Sequence, residues 1–135
     1  MERWLGPWSE YCYAGLRIVA ALLYLSHGTQ KLFGVPGGHA VTGNRLLQTA
    51  GVIELVAGSL ILLGLCTRYA AFLASGEMAA AYFIVHAWNG LWPIVNRGEL
   101  PVLYCFLFLF IAARGGGLLS LDRLRGDASP AGVPR

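Results

Sequence analysis

Two glutamates, Glu54 and Glu77, stand near the middles of long apolar stretches. A helix needs about 20 apolar residues to cross a bilayer core. A charge inside one costs roughly 2.5–3.5 kcal/mol on insertion scales, so such side chains turn to the helix-bundle interior and often mark function. Glu54 lies twelve residues before Cys66 and Glu77 eleven after it. If a tight turn at Cys66 joins two antiparallel helices, both carboxylates sit at nearly one depth, roughly 16–18 Å from the turn at ~1.5 Å per residue. Neighbouring carboxylates in a low dielectric compete for ionisation, which suits proton exchange.

The first apolar stretch supplies partners. Arg17, Tyr24 and Lys31 recur every seven residues, His27 is four before Lys31, and Gln30 is adjacent; the first four share a helical stripe. Matching depths pairs Lys31 with Glu54 and Arg17 with Glu77, with the swapped pairing also open. The candidate ligand-binding set is therefore His27, Gln30, Lys31, Glu54, Glu77 and Arg17, with Glu54, Glu77 and His27 as the proton-handling groups. A purely structural role stays open beside this, because buried ion pairs can simply fix helix register.

Four helices must position these residues. The first is expected over about 13–33, with Ser9 as its N-cap and a glycine-rich loop after Gly34. The second runs over about 46–63 behind an Asn44 cap and ends at Gly64. The third covers about 68–88 with Thr67 as cap. The fourth, about 99–113, has Pro101 in its first turn. At ~1.5 Å per residue the fourth reaches only ~22 Å, short of a full bilayer core. Gly51 and Gly58 flank Glu54, and Ala74 and Ala81 flank Glu77; small residues there let helices approach closely. The fold class is all-α, an integral-membrane antiparallel four-helix bundle. Residues 1–12 read as an interfacial segment, 13–124 as the four-span domain, and 125–135 as a disordered tail.

Composition agrees with a membrane setting. The 135 residues are 56% hydrophobic and 13% charged, with mean hydropathy +0.59, against about 25% charge in a soluble domain. A net charge of +3 with no basic stripe argues against nucleic acid. Cys12, Cys66 and Cys105 form no close pair and no metal-ligand spacing, so no metal is expected. Glu2 and Glu10 spoil the basic start that a cleaved signal needs. Arg3, Arg68, Arg114, Arg123, Arg125 and Arg135 fall on one side of four spans, and Lys31, Arg45 and Arg97 on the other. That bias favours cytoplasmic N- and C-termini. Trp4, Trp8 and Tyr11 would anchor the inner interface, and Trp88 and Trp92 the outer one.

The run from Leu23 through Tyr24, His27, Gly28, Gln30 and Lys31 to Gly34 resembles the opening of the DoxX family. So do Ile53–Gly58 with Leu63–Arg68, Glu77–Tyr82 with His86, and Gly115–Gly117 followed by Ser120, Leu121 and Asp122. The resemblance covers about residues 13–124. It implies a small four-helix protein of the bacterial cytoplasmic (inner) membrane, near quinone-linked redox systems. The function expected on that basis is an accessory or ligand-binding component of a membrane redox system. No covalently held cofactor is expected, and quinone is the implied ligand. If the chain is catalytic, it is as a quinone-linked oxidoreductase subunit. Expected partners are the lipid bilayer and either subunits of a membrane redox complex or further copies of the chain. The alternative is a non-enzymatic assembly or scaffold subunit; a carrier is less favoured, for want of an inverted repeat.

Overall fold

The computed structural model describes residues 1–126, and the proposed tail from 127 onward lies outside the described residues. Among the described residues the chain is helical and has no strand. In chain order the helices are α1 (Glu2–Leu5), α2 (Ser9–Phe33), α3 (Arg45–Leu63), α4 (Thr67–Ala81), α5 (Pro93–Asn96), α6 (Glu99–Arg114) and α7 (Leu121–Leu124). α2 packs on α3, α3 on α4, and α4 on α6.

The helix ends follow local chemistry in part. Asn44 caps α3, its side chain accepting from the Leu47 amide at 3.1 Å. Gly64 closes α3 in the left-handed region, at φ +67°. A Cβ at Gly64 would also run into Ser120, so backbone and packing both demand glycine. Two expected caps are corrected. Ser9 lies inside α2, and Trp8 precedes it without a side-chain cap. Thr67 is the first residue of α4; Asp122 caps that helix from the far end of the chain. Its carboxylate accepts from the Cys66 amide at 2.7 Å and the Thr67 amide at 2.8 Å, and its own amide returns a bond to Gly64 O at 2.8 Å. Negative charge at a helix start also complements the macrodipole.

The third span expected from the sequence, here α4 and its continuation and called the third helix below, is not a uniform α-helix to Trp88. After Ala81 it passes through a π-helical turn, Tyr82–His86, and a 3-10 turn, Ala87–Asn89. A π turn is wider and re-aims the side chains that follow. Here it presents Tyr82 Oη to Leu91 O and sets His86 Nδ1 3.0 Å from Asn96 O. Asn96 is buried, donating to Gly90 O at 2.6 Å and accepting from the Gly98 amide at 2.8 Å. Its loop is thereby held against the end of the third helix.

Packing is inverted relative to a water-soluble domain. The buried core is rich in small residues, among them Ala14, Ala21, Ala57, Ala71 and Ala74. Phe72, Phe83, Phe106 and Leu103 turn outward. Small residues let helices meet closely where lipid covers the outside. A ring cluster fills the middle: Tyr24 and Phe108 meet edge to face at 4.8 Å, and Tyr104 stacks on Phe108 at 5.3 Å. Such pairs contribute about 0.5–1.5 kcal/mol each beyond area burial. Among the described residues two helices, Arg45–Leu63 and Thr67–Asn89, are long and apolar enough to cross a membrane by length and composition. α6, with 16 residues, is shorter.

Candidate functional site

The site is built where α2 and α3 touch. Gly28 makes that approach possible: a Cβ there would lie 2.7 Å from the Leu55 nitrogen and 2.9 Å from the Gly51 oxygen. One turn on either side, α2 carries Tyr24 and Lys31 on the same stripe, with His27 between them. Lys31 Nζ reaches Glu54 Oε1 at 2.6 Å, forming an ion pair whose carboxylate is almost wholly removed from solvent. Tyr24 Oη donates to Glu77 Oε2 at 3.1 Å. The first helix thus clamps both acidic residues, one through an ammonium and one through a phenol.

Both carboxylates, His27 and Lys31 border one cavity of about 660 Å³. Its remaining wall is largely apolar and comes from α3, α4 and the start of α6, including Ile53, Phe72, Leu73 and Tyr104. A cavity of roughly 300–1,000 Å³ with an apolar wall and a few convergent polar groups is the ordinary form of a small-molecule site. Lys31 offsets the charge of Glu54. Glu77 has no ion-pair partner among the described residues and relies on the Tyr24 hydroxyl. Glu54 Oε2 is buried and accepts no hydrogen bond from any described residue.

Two expected members stand elsewhere. Arg17 does not pair with Glu77. It is fully buried, and its guanidinium grips Ile61 O, Leu62 O at 2.8 Å, and Leu119 O. The reason is the end of α3, which leaves backbone carbonyls without intrahelical partners; a fork-shaped donor satisfies several at once. Gln30 also turns away, donating to Pro36 O at 3.3 Å and Gly37 O at 3.1 Å and so holding the glycine-rich loop.

Reasoning from sequence missed the cavity role of Tyr104, and of His86 and Arg97 at one end. Tyr24 stood on the polar stripe, but its bond to Glu77 was not foreseen. The only signal was its position seven residues before Lys31. At the opposite end of the bundle Arg68 donates to Ala112 O at 3.1 Å and Arg114 O at 3.2 Å. Arg114 pairs with Glu10. At that end the carboxyl of Asp122 is also perturbed. Burial alone would raise its pKa, but donors from Thr67 and Cys66, with Arg125 nearby, prevail and hold it below the ordinary carboxylate value.

The DoxX family model matches residues 13–87. An uncharacterised protein of Haemophilus influenzae is 45% identical over 125 residues, covering 87% of this chain and 93% of the relative. An uncharacterised membrane protein of Mycobacterium tuberculosis is 27% identical, covering 87% of this chain and 82% of the relative. A Bacillus subtilis protein named as a candidate oxidoreductase, CatD, is 25% identical, covering 79% of this chain and 81% of the relative. No solved structure matches the chain. The family match and the membrane relative make this a membrane protein.

Proposed function

The chain belongs to the DoxX family, and on that footing we propose that it is a ligand-binding or accessory component of a membrane redox system near the quinone pool. Its site would be the cavity shared by Glu54, Glu77, His27 and Lys31. The observation that carries this reading is the meeting of two acidic side chains, an imidazole and an ammonium on one largely apolar cavity of about 660 Å³. A purely structural ion pair needs no such space. The apolar wall suits a lipophile, and the polar cluster suits a head group that exchanges protons. The name of the Bacillus subtilis relative as a candidate oxidoreductase supports the redox setting.

In this reading α2, α3, the third helix and α6 span the bacterial cytoplasmic membrane as a four-helix bundle, with both termini in the cytoplasm. Support comes from charge. In this topology Arg3, Arg68, Arg114, Arg123 and Arg125 fall on the side of the α3–α4 turn and Lys31, Arg45 and Arg97 on the other; five cations against three is the positive-inside pattern. His27 and Lys31 offer donors to a ring carbonyl, and Glu54 and Glu77 accept or return protons. Electrons would come from a partner subunit or from the bound molecule.

The test is a binding titration of purified protein in lipid nanodiscs with a short-chain benzohydroquinone, kept reduced under anaerobic conditions. Each of Glu54→Gln, Glu77→Gln and His27→Ala is expected to weaken binding by about tenfold, the equivalent of one lost hydrogen bond to a charged or polar group. Affinities unchanged in all three variants overturn the proposal. If the variants then lose stability while a membrane partner still copurifies, the chain is a scaffold subunit. The ion pair of Lys31 with Glu54 is the feature that favours that second reading.

A further inference from the structure

The cavity has a second polar end, away from the glutamates, bordered by His86 and Arg97. His86 lies nine residues beyond Glu77 on the third helix, about 13 Å of helix. Arg97 stands at φ +59°, in the left-handed region that favours glycine. Its neighbours hold it there. Asn96 is buried and bonded to Gly90 O and to the Gly98 amide. His86 Nδ1 donates to Asn96 O at 3.0 Å, and a Cβ at Gly98 would lie 2.7 Å from the Tyr82 ring. The loop is a rigid mount for Arg97, and a side chain held at an unfavourable backbone point beside a cavity points to function. Elsewhere on the cavity the charges are engaged, Lys31 with Glu54 and Glu77 with the Tyr24 hydroxyl. Arg97 makes no ion pair among the described residues.

The apolar part of the cavity is long. It follows the third helix from His86 past Ala80, Gly76 and Leu73 to Tyr69. Tyr69 and His86 are seventeen residues apart, roughly 25 Å of helix. Tyr69, Phe72 and Leu73 are exposed, so this stretch is a groove open sideways. One leaflet supplies about half of a ~30 Å hydrocarbon core, so an acyl chain fits lengthwise. Trp88 and Trp92 stand exposed at the Arg97 end, and such rings sit at headgroup depth.

From this charge and this length we propose that the groove holds an anionic glycerophospholipid, its phosphate on the Arg97 guanidinium and one acyl chain along the third helix. A guanidinium fork matches two phosphate oxygens. Glu54 and Glu77 keep the head at the Arg97 end, because a phosphate nearer to them meets like charge. The inference goes beyond the lipophile site at the glutamates and does not need it, since different residues and different probes test it.

The test is native mass spectrometry of the delipidated full-length protein in mild detergent, titrated with phosphatidylglycerol, with diacylglycerol of the same chains, and with chain-free glycerophosphoglycerol. Phosphatidylglycerol is expected to bind about tenfold more tightly than diacylglycerol, and the chain-free head group is expected not to displace it. Arg97→Asn, a residue that tolerates the left-handed backbone, should shrink that preference to within about threefold. Arg45→Gln, at the same end but off the cavity wall, should leave it unchanged. A Cβ at Gly76 meets nothing within 4 Å, so Gly76→Leu is expected to fold, fill the groove and weaken both lipids. Equal binding of phosphatidylglycerol and diacylglycerol to the wild type overturns the phosphate site. A preference that survives in Arg97→Asn, or falls equally in Arg45→Gln, overturns the assignment to Arg97. Displacement by the chain-free head group, or full affinity in Gly76→Leu, overturns the acyl groove. None of these results alters the hydroquinone titration of the glutamate variants, so the two readings fail separately.

Discussion

Lys31→Met removes the ammonium that pairs with Glu54. In the wild type one carboxylate oxygen is bound at 2.6 Å and the other is already without a donor. After the change neither oxygen has a partner in a side chain left almost wholly buried. Removing one member of a buried pair costs about 3–5 kcal/mol, because the remaining charge has no compensation. The Lys31 side chain is itself 25% exposed, so water replaces part of what it gave, and the lower end, about 3 kcal/mol, applies. Glu54→Gln has a smaller cost, about 1 kcal/mol, because the freed ammonium can turn to water and the amide keeps an acceptor. The double variant carries no stranded charge and should resemble Glu54→Gln alone. The coupling between the two positions is then about 3 kcal/mol. Denaturant unfolding in mixed micelles, followed by tryptophan fluorescence, measures all four corners of the cycle. A Lys31→Met cost below about 1 kcal/mol, or strictly additive losses, would refute the picture of a carboxylate held in a dry interior by this lysine.

Gly28→Ala forces a methyl group to within 2.7 Å of the Leu55 nitrogen, so the α2–α3 contact must open; unfolding should show a loss of about 1–3 kcal/mol. Arg17→Met strips the donors from the carbonyls of Ile61, Leu62 and Leu119. Stability should fall by about 3 kcal/mol, while lipophile affinity in the folded fraction stays unchanged, since Arg17 stands outside the cavity. The folded-state pKa of Asp122 lies below its ordinary value. The stability it contributes is therefore complete above the ordinary carboxylate pKa and is lost as pH falls through the lowered one, below about pH 4. Asp122→Asn should flatten that acid limb in a pH series of unfolding curves.

The parts of this molecule legible in its sequence rest on local rules. Asn44 and Gly64 bound α3 because a side-chain acceptor and a residue free of Cβ are needed at those points. Lys31 meets Glu54 because an antiparallel arrangement brings one helical stripe to a matching depth, and Gly28 and Gly51 lie between them at the contact. What escaped the sequence depends on distant chain. The carbonyl oxygens that capture Arg17 belong to residues 44, 45 and 102 positions away, and no spacing rule announces a bond to backbone. The cap of α4 comes from Asp122, more than fifty residues downstream. Tyr82–His86 follows an apolar periodicity that reads as ordinary helix, and the bonds that Tyr82 and His86 make to the loop across the π turn run to residues that the local pattern does not announce. The cavity itself could not be read at all, because an empty volume is a property of how four helices lean together.

The most direct measurement is a photolabelling map. A quinone analogue with a diazirine on its alkyl tail is added to the protein in nanodiscs, irradiated, and the modified peptides are located by mass spectrometry. Labels concentrated on the cavity wall, around Ile53, Leu73 and Gly76, and displaced by excess unlabelled analogue, are the expected result. Labels spread over the outward faces of α2 and α6, undiminished by competitor, would contradict a ligand site between these helices.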